Sequence, residues 1–129
     1  MAHEIKPNLK YTDDHEWALL EGDVLTFGIT DFAQSSLGDI VFVEFPEIGS
    51  MLEKGNPCGV IESIKSVNDL FSPASGEVLE VNENVSDSPE NINHNAFGSW
   101  LVKVKITNKS EFDQLMSANE YKIHCEKIS

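Results

Sequence analysis

One lysine, Lys65, stands in the stretch of this chain with the clearest chemical potential. The stretch runs from residue 59 to residue 70, and an apolar run leads up to the lysine. Short polar side chains that favour turns follow it, at Ser66, Asn68 and Asp69. Two apolar runs that flank such a segment predict a β-hairpin with Lys65 near its tip. Taken alone, an exposed lysine at a hairpin tip is usually a solvated charge.

The second candidate stretch is Asp13-Asp14-His15-Glu16, whose imidazole and carboxylates are side chains that bind metals. Metal-binding histidines usually come with a second ligand at strand or helix spacing, and neither His94 nor His124 has one. The chain also has no Gly-x-Ser-x-Gly elbow and no Gly-x-x-x-x-Gly-Lys phosphate loop. We therefore expect neither a metal centre nor an active site that completes a reaction alone.

The charge balance argues against whole classes of partner. Among 129 residues, 22 are acidic and 9 basic, for a formal net charge of −13, and every basic residue is a lysine. Nucleic-acid binding needs a basic surface that replaces phosphate counterions, so no nucleic-acid partner is expected. Without arginine, the chain also lacks the fork that clamps phosphate or carboxylate ligands. We expect a soluble acidic protein that is steered towards basic surfaces.

The cysteines and the N-terminus predict where the protein works. Cys58 and Cys125 lie far apart and show no metal-ligand spacing, which predicts free thiols in a reducing compartment. Cys58 is expected to pack as a small hydrophobe within a strand. The first seven residues resemble neither a secretory signal nor a transit peptide, and no run reaches membrane-spanning length. We therefore expect a cytoplasmic location with no membrane partner, or the mitochondrial matrix only if a transit peptide has been removed.

Strands dominate the predicted secondary structure of what we expect to be one domain, residues 1–129. A hairpin is predicted from strands at 18–20 and 24–29 with a turn at 21–23. A helix should then begin after Thr30 or Asp31 and end at Gly38. Residues 39–45 predict a strand that is apolar on both faces apart from Glu44, and therefore central in its sheet.

The second half of the chain predicts two more strands and then helices. The strands are at 76–81 and 100–106, and the later one points Lys103 and Lys105 outward. Residues 82–95 predict a long polar connection with a helical turn after Pro89. Two short helices, one capped by Ser110 and one over 119–125, should close the chain. The expected architecture is mainly β, a sandwich-barrel hybrid with short peripheral helices.

An internal repeat suggests pseudo-symmetry. The pattern Pro-x-x-Gly-x-apolar-Leu-Glu occurs at residues 46–53 and again at 73–80. Turn chemistry accounts for the proline and glycine in each copy, so chance similarity stays open. The alternative is a β-structure whose matching halves flank the Lys65 hairpin.

Five blocks of the chain carry a more specific signal. They are Tyr11-Thr12-x-x-His15-Glu16-Trp17, Gly28-Ile29-Thr30-Asp31-x-Ala33-Gln34, Leu37-Gly38-Asp39-Ile40-Val41-Phe42-Val43-Glu44, Glu62-Ser63-Ile64-Lys65 and Ser72-Pro73-x-Ser75-Gly76-Glu77-Val78. In order and in register, over roughly residues 11–126, they resemble the H-protein family of the glycine cleavage system. That family is similar in fold to lipoyl and biotinyl carrier domains, so the resemblance implies a carrier-like β-fold.

The resemblance implies that Lys65 carries lipoic acid in amide linkage. It further implies a carrier, not an enzyme, whose arm takes the aminomethyl intermediate of glycine from glycine decarboxylase to aminomethyltransferase. The same arm would pass electrons to dihydrolipoyl dehydrogenase, and lipoyl-transfer enzymes would be further partners of a monomer.

The resemblance also points to residues around the arm. Glu16 and Asp69 would line an acidic cleft that holds the cationic amine, with Ser36 and Asp14 in neighbouring positions. The aromatic Trp17 region would shield the cleft from water, and Glu62 would help to present Lys65. A solvated surface charge is the alternative for Glu16.

Other carriers remain as alternatives. A biotin carrier usually has Met-Lys-Met, and a lipoyl domain of a 2-oxoacid dehydrogenase Asp-Lys-Ala, where this chain has Ile64-Lys65-Ser66. An H-like protein that relays lipoyl groups or is a regulatory target, without glycine cleavage, is a further alternative. Residues 96–100 stand where the family frequently has a slightly longer loop with Pro-Tyr, and Ser66-Val67 stands where it often has small residues.

Overall fold

Two antiparallel β-sheets make up most of the computed structural model, which describes residues 3–128. The strands are β1 Lys10–Tyr11, β2 Glu16–Glu21, β3 Val24–Ile29, β4 Ile40–Glu44, β5 Met51–Leu52, β6 Pro57–Ser63, β7 Val67–Phe71, β8 Gly76–Val81 and β9 Val102–Ile106. The helices are α1 Asp31–Leu37, α2 Glu83–Asp87, α3 Asn91–His94, α4 Lys109–Asp113 and α5 Ala118–Ile128. The larger sheet has the order β1-β2-β3-β9-β8-β5, and the smaller has the order β4-β6-β7.

The main core collects apolar side chains from both sheets. Phe27 and Val104 of the larger sheet are fully buried, and they belong to the same cluster as Val43, Ile61 and Leu70 of the smaller sheet. Their burial removes apolar surface from water at about 25 cal/mol per Å², which is the main force that holds such layers together. The expected mainly β fold with short peripheral helices is confirmed.

The first hairpin and the helix after it form as predicted. β2 pairs with β3 in antiparallel register, and Gly22 in the turn has φ 65°, a left-handed conformation that glycine adopts without strain. The turn is tighter than expected because Glu21 is the last residue of β2. Thr30 caps α1 by accepting a hydrogen bond from the Ala33 N–H at 3.2 Å, and Gly38 is the C-cap after the last helical residue, Leu37.

The prediction that residues 39–45 form a central strand is wrong. β4 pairs only with β6 and lies at an edge of the smaller sheet. An irregularity in the register between Ile40 and Phe42 turns two successive side chains outward, and Val41 is 55% exposed and Phe42 48% exposed. The apolar residues of this strand therefore do not mean that both of its faces are buried, because two of them lie exposed on the surface.

The helices of the second half differ from the prediction in their bounds. Residues 82–95 hold two helices, α2 and α3. Asn82 caps the first of them by accepting a hydrogen bond from the Asn84 N–H. The cap of α4 is Asn108, whose Oδ1 accepts from the Ser110 N–H at 3.0 Å, so Ser110 lies inside the helix. α5 is longer than expected and buries Tyr121 and Cys125.

The two copies of the repeat pair directly with each other through β5 and β8. Met51 lies opposite Glu77, and Leu52 lies opposite Gly76. The two glycines are nevertheless needed for different reasons. Gly49 turns the chain at φ 90°, whereas Gly76 leaves no space for a side chain, which would collide with the Lys105 carbonyl. The two copies are therefore neighbours in the larger sheet, but their glycines are not equivalent.

Both cysteines are free thiols in the structure. Cys58 lies in β6 and packs against the main core, as expected of a small hydrophobe. Burial, and the nearby Glu16 charge, raise the pKa of the Cys58 thiol to about 12. This thiol is therefore unreactive at neutral pH.

Candidate functional site: an exposed lysine beside an acidic cleft

Lys65 lies at the tip of the hairpin formed by β6 and β7. Only Ile64 and Lys65 separate Ser63 from Ser66, and the Ser63 N–H donates to the Ser66 carbonyl at 2.9 Å. The Ser63 hydroxyl also accepts from the N–H groups of Lys65 at 3.1 Å and Ser66 at 3.2 Å. The predicted hairpin tip is confirmed, and one serine side chain holds its backbone.

The turn is shorter than the polar sequence suggested. Asn68 and Asp69 are strand residues of β7, paired with Ile61 and Val60 of β6. Because β7 is an edge strand, its polar side chains can remain in water while its backbone pairs on one side only.

The tip rests on the loop that follows α1. The Ile64 N–H donates to the Asp39 carbonyl at 3.0 Å, and the aliphatic stem of Lys65 lies over Gly38. A Cβ built on Gly38 would lie 3.1 Å from the Lys65 Cε, so the lysine stem would have to shift by a few tenths of an ångström to make room for it. Lys65 is exposed, and within residues 3–128 no hydrogen bond or ion pair holds its amine. An enzyme that modifies the amine can reach it.

A cleft of about 750 Å³ opens beside this hairpin. It is lined by the turn before β2, by one face of α1, by β7 and by the end of α5. Four residues that the sequence pointed to all line it: Asp14, Glu16, Ser36 and Asp69. Asp69 and Asp14 are exposed and border its mouth. The expected acidic cleft is therefore present, although Lys65 and Glu62 are not part of its wall.

Glu16 is a buried carboxyl rather than a solvated charge. It is 2% exposed, its Oε1 accepts from the Thr12 hydroxyl at 2.6 Å, and its own N–H donates to that hydroxyl at 3.1 Å. Burial, reinforced by the negative charges of Asp14 and Asp13, raises the pKa of Glu16 to about 8. Hydrogen bonds from Thr12 and from the Phe71 backbone oppose that rise and favour the charged form. Glu16 is therefore largely neutral at pH 7 and is poised to ionise beside a cation.

His15 orients the turn that delivers Glu16 to the cleft. Its φ of 69° is left-handed, and its ring stacks on Phe32 with 4.7 Å between centroids. Its Nδ1 lies 2.8 Å from the Tyr121 hydroxyl, which lies 2.7 Å from the Thr30 hydroxyl. Burial and the neighbouring His124 lower the pKa of His15, while Asp13 opposes the shift. A neutral imidazole thus locks the turn between α1 and α5.

Two other expected features are placed elsewhere. Trp17 points away from the cleft, as the residue next to Glu16 on a strand must, and its Nε1 donates to the Ala96 carbonyl at 3.2 Å. The phenylalanines that line the cleft are Phe32 and Phe71. Glu62 lies opposite Phe42 and Val67, both largely exposed, so it belongs to the outer face of the smaller sheet.

Within residues 3–128, no group of three or more His, Cys, Asp and Glu side chains is arranged to hold a metal ion. In the same range, no helix is both long enough and apolar enough to cross a bilayer.

Comparison with known proteins identifies the family. The family model described as glycine cleavage H-protein matches residues 9–128. The glycine cleavage system H protein of Alkaliphilus oremlandii is 50% identical over 119 residues, which cover 92% of this chain and 94% of that protein. The H protein of Rubrobacter xylanophilus is 53% identical over 119 residues, with 92% of each chain covered. The crystal structure of an H protein from Mycobacterium marinum superposes with a TM-score of 0.87 at 39% identity, covering 95% of this chain and 99% of that one. With its carrier-like β-fold and a lysine at the hairpin tip, the chain belongs to the glycine cleavage H-protein family, the lipoyl carriers of the glycine cleavage system.

Proposed function

We propose that Lys65 carries a lipoyl group in amide linkage. We further propose that this arm takes the aminomethyl group of glycine from glycine decarboxylase to aminomethyltransferase, and electrons to dihydrolipoyl dehydrogenase. The observation that carries the proposal is the position of Lys65, exposed on a two-residue tip beside a cleft that contains a buried carboxyl. The dithiolane of the lipoyl group supplies the sulfur chemistry, because it can hold the aminomethyl group on one sulfur and later return two electrons.

The residues around Lys65 suit a tethered group of this size. A lipoyl-lysine arm reaches roughly 14 Å from its Cα by ordinary bond lengths. The cleft volume of about 750 Å³ falls within the range of about 300–1,000 Å³ that is typical of ligand pockets. Phe32, Leu37 and Val67 in its wall offer apolar surface to the stem of the arm. The rigid hairpin fixes the root, which keeps the local concentration of the arm high at a docked partner.

Glu16 gives the cleft a preference for the loaded arm. A carboxyl with a pKa of about 8 is mostly neutral in the empty cleft, and a cationic amine beside it favours the charged form. The resulting ion pair is shielded from water, so it is stronger than a surface pair. An arm without a cation makes no such pair, and only a difference in affinity can shift the arm between bound and free states. The loaded arm is held and protected from water, while the unloaded arm remains free to react.

The chain would work in the cytoplasm as a monomeric, single-domain carrier. Its net charge of −13 favours approach to basic surfaces on the decarboxylase, the aminomethyltransferase, the dehydrogenase and the lipoyl-transfer enzymes. Steering of this kind raises association rates, and it weakens as the ionic strength rises.

The test is the intact mass of the protein from its native cell, followed by mapping of the modified residue. We expect one lipoyl group on Lys65, none on a folded Lys65→Arg variant, and normal modification of the matched control Lys105→Arg. Modification that persists in Lys65→Arg overturns the assignment. Reconstitution with the three partner enzymes tests the shuttle, and a lipoylated protein that supports no glycine turnover would instead indicate a relay of lipoyl groups.

A further inference from the structure

The side chain of Asn93 in α3 joins the end of α1 to the start of β4. Its Nδ2 donates to the Gly38 carbonyl at 2.9 Å and to Gln34 Oε1 at 3.0 Å, and its Oδ1 accepts from the Ile40 N–H at 2.9 Å. An N–H can only donate and a carbonyl can only accept, so these partners fix the orientation of the amide. One side chain thus clamps the backbone on both sides of Asp39.

The residue between the two clamped positions supports the hairpin tip. The Asp39 carbonyl accepts from the Ile64 N–H at 3.0 Å. In the part of the chain that the structure describes, this is the one hydrogen bond that joins residues 64–66 to a residue outside their own hairpin. The stem of Lys65 rests on Gly38, whose carbonyl is one of the groups that Asn93 holds. The contacts of Asn93 therefore lead directly to the residues on which the tip rests.

The loop needs such a clamp because of Gly38. Its φ of 79° is a conformation that residues with side chains rarely adopt, and its missing side chain leaves the space that Lys65 occupies. Glycine loses more conformational freedom on folding than any other residue. A loop built around it keeps one shape only when other groups hold it, and Asn93 supplies two of the backbone hydrogen bonds that do so.

We propose that Asn93 is a positioning residue for Lys65, which holds the 38–40 loop in the shape that presents the hairpin tip to the enzyme attaching the lipoyl group. This inference rests on the proposed lipoylation of Lys65. In that reaction the unprotonated amine attacks the carbonyl carbon of an activated lipoyl donor, an acyl adenylate or thioester. The amide C–N bond forms, the bond to the donor's leaving group breaks, and the nitrogen gives up a proton. Because reacting atoms must be aligned closely, a displaced or mobile tip slows the reaction.

The test uses the full-length, unlipoylated protein with a purified lipoate–protein ligase, lipoate and ATP. In Asn93→Ala we expect kcat/KM for modification to fall five- to tenfold. Most of the change should appear in KM, because the ligase must select the fraction of molecules with an ordered tip. The Ile64 amide should also exchange its hydrogen several-fold faster, while the Ser63 amide, bonded within the hairpin, should not change.

Two asparagines provide matched controls. Asn82→Ala removes the cap of α2 and a 2.8 Å hydrogen bond to the Trp100 carbonyl, so it lowers stability without removing a hydrogen bond to the 38–40 loop. Asn91→Ala changes an exposed side chain on the same helix as Asn93. Both should keep the wild-type kcat/KM. Slower modification in Asn82→Ala, with the tip amides unchanged, would mean that lost stability alone explains the effect of Asn93→Ala, and this overturns the proposal.

The remaining outcomes separate this inference from the proposed function. If wild-type protein gains no lipoyl group, the proposed function fails, and exchange of the Ile64 amide still decides whether Asn93 holds the tip. If Asn93→Ala is modified with wild-type kcat/KM, or its Ile64 amide exchanges as in wild type, the inference is overturned. Should Asn93→Ala not fold, Asn93→Asp, which keeps the acceptor for the Ile40 N–H, is measured in the same way with the same expected loss.

Discussion

The Thr12 hydroxyl donates to the Glu16 carboxyl at 2.6 Å and accepts from the Glu16 backbone N–H at 3.1 Å. One hydroxyl thus fixes both the backbone and the side chain of the buried carboxyl. It also favours the charged form of Glu16, against the burial that raises its pKa to about 8. Burial, which favours the neutral form, and the Thr12 hydrogen bond, which favours the charged form, together set the charge state of Glu16. A substitution or a change of pH can therefore alter that state.

Protein without a loaded arm should become less stable between about pH 5 and pH 8 through Glu16. Its folded pKa of about 8 lies above the ordinary value of 4.5, so the folded state binds a proton that the unfolded state releases in this range. The stabilisation is complete below the lower pKa and is lost as the pH rises through the higher one. At about 1.4 kcal/mol per pKa unit, the free energy of unfolding should fall by about 3–5 kcal/mol relative to Glu16→Gln.

Urea unfolding of both proteins at several pH values measures this difference. Parallel pH profiles for wild type and Glu16→Gln would contradict the assignment. Thr12→Val provides a further check: it removes a hydrogen bond that favours the charged form, so the pH at which stability is lost should move upward.

Glu16→Gln should shorten the lifetime of the loaded carrier. An amide cannot form an ion pair with the cationic amine, so the arm should leave the cleft more often and lose its aminomethyl group to water roughly tenfold faster, equivalent to about 1.4 kcal/mol. The oxidised lipoyl protein should still accept substrate and electrons normally. The measurement is the decay of the loaded form in the absence of partner enzymes, with Glu62→Gln on the outer face as the control. Equal lifetimes would mean that Asp69 or apolar packing, and not Glu16, protects the loaded arm.

Gly38→Ala should impair both stability and modification. Its φ of 79° strains any residue with a side chain, at a cost of about 1–3 kcal/mol, and the new methyl group would press on the Lys65 stem. Gly22→Ala is the matched control, because Gly22 also has a positive φ but nothing lies within 4 Å of an added Cβ. Both variants should lose stability on thermal unfolding, and only Gly38→Ala should be lipoylated more slowly. Equal lipoylation rates would show that the stem does not depend on Gly38.

Glu62→Ala should slow lipoylation more than it lowers stability. Glu62 lies on the outer face beside the tip, half-buried between Phe42 and Val67, where an enzyme that binds the hairpin would contact it. Glu44→Ala removes an exposed carboxylate from the same face and serves as the control. Ligase kinetics and thermal unfolding separate the two effects. A variant that melts early but is modified at the normal rate would assign Glu62 to the fold instead.

Local patterns predicted the parts of the site that local interactions form. The hairpin tip depends on Ser63 and its neighbours, and the start of α1 depends on the Thr30 cap, so both were readable from a few residues. The apolar run at 39–45 was misleading, because apolar composition does not distinguish a central strand from an edge strand that shows Val41 and Phe42 to solvent.

Groups that meet only through the fold could not be predicted. Asn93 is more than fifty positions from Gln34, Gly38 and Ile40, and it lies in a segment whose asparagines mostly resemble turn residues. Tyr121 meets His15 across 106 positions. The burial of Glu16 likewise depends on β7 and α1, so the sequence left its charge state open between a solvated carboxylate and a buried one.

The negative charge of this protein helps to keep it soluble, besides its role in recognition, because β4 is an edge strand. An edge strand that pairs with another strand on one side only, and that shows two exposed apolar side chains, is a template on which a second copy can add. Glu44 lies on that strand, and the net charge of −13 makes like molecules repel one another. Acidification towards the pI of about 4.5 removes the net charge and with it the repulsion, so the carrier should be least soluble there.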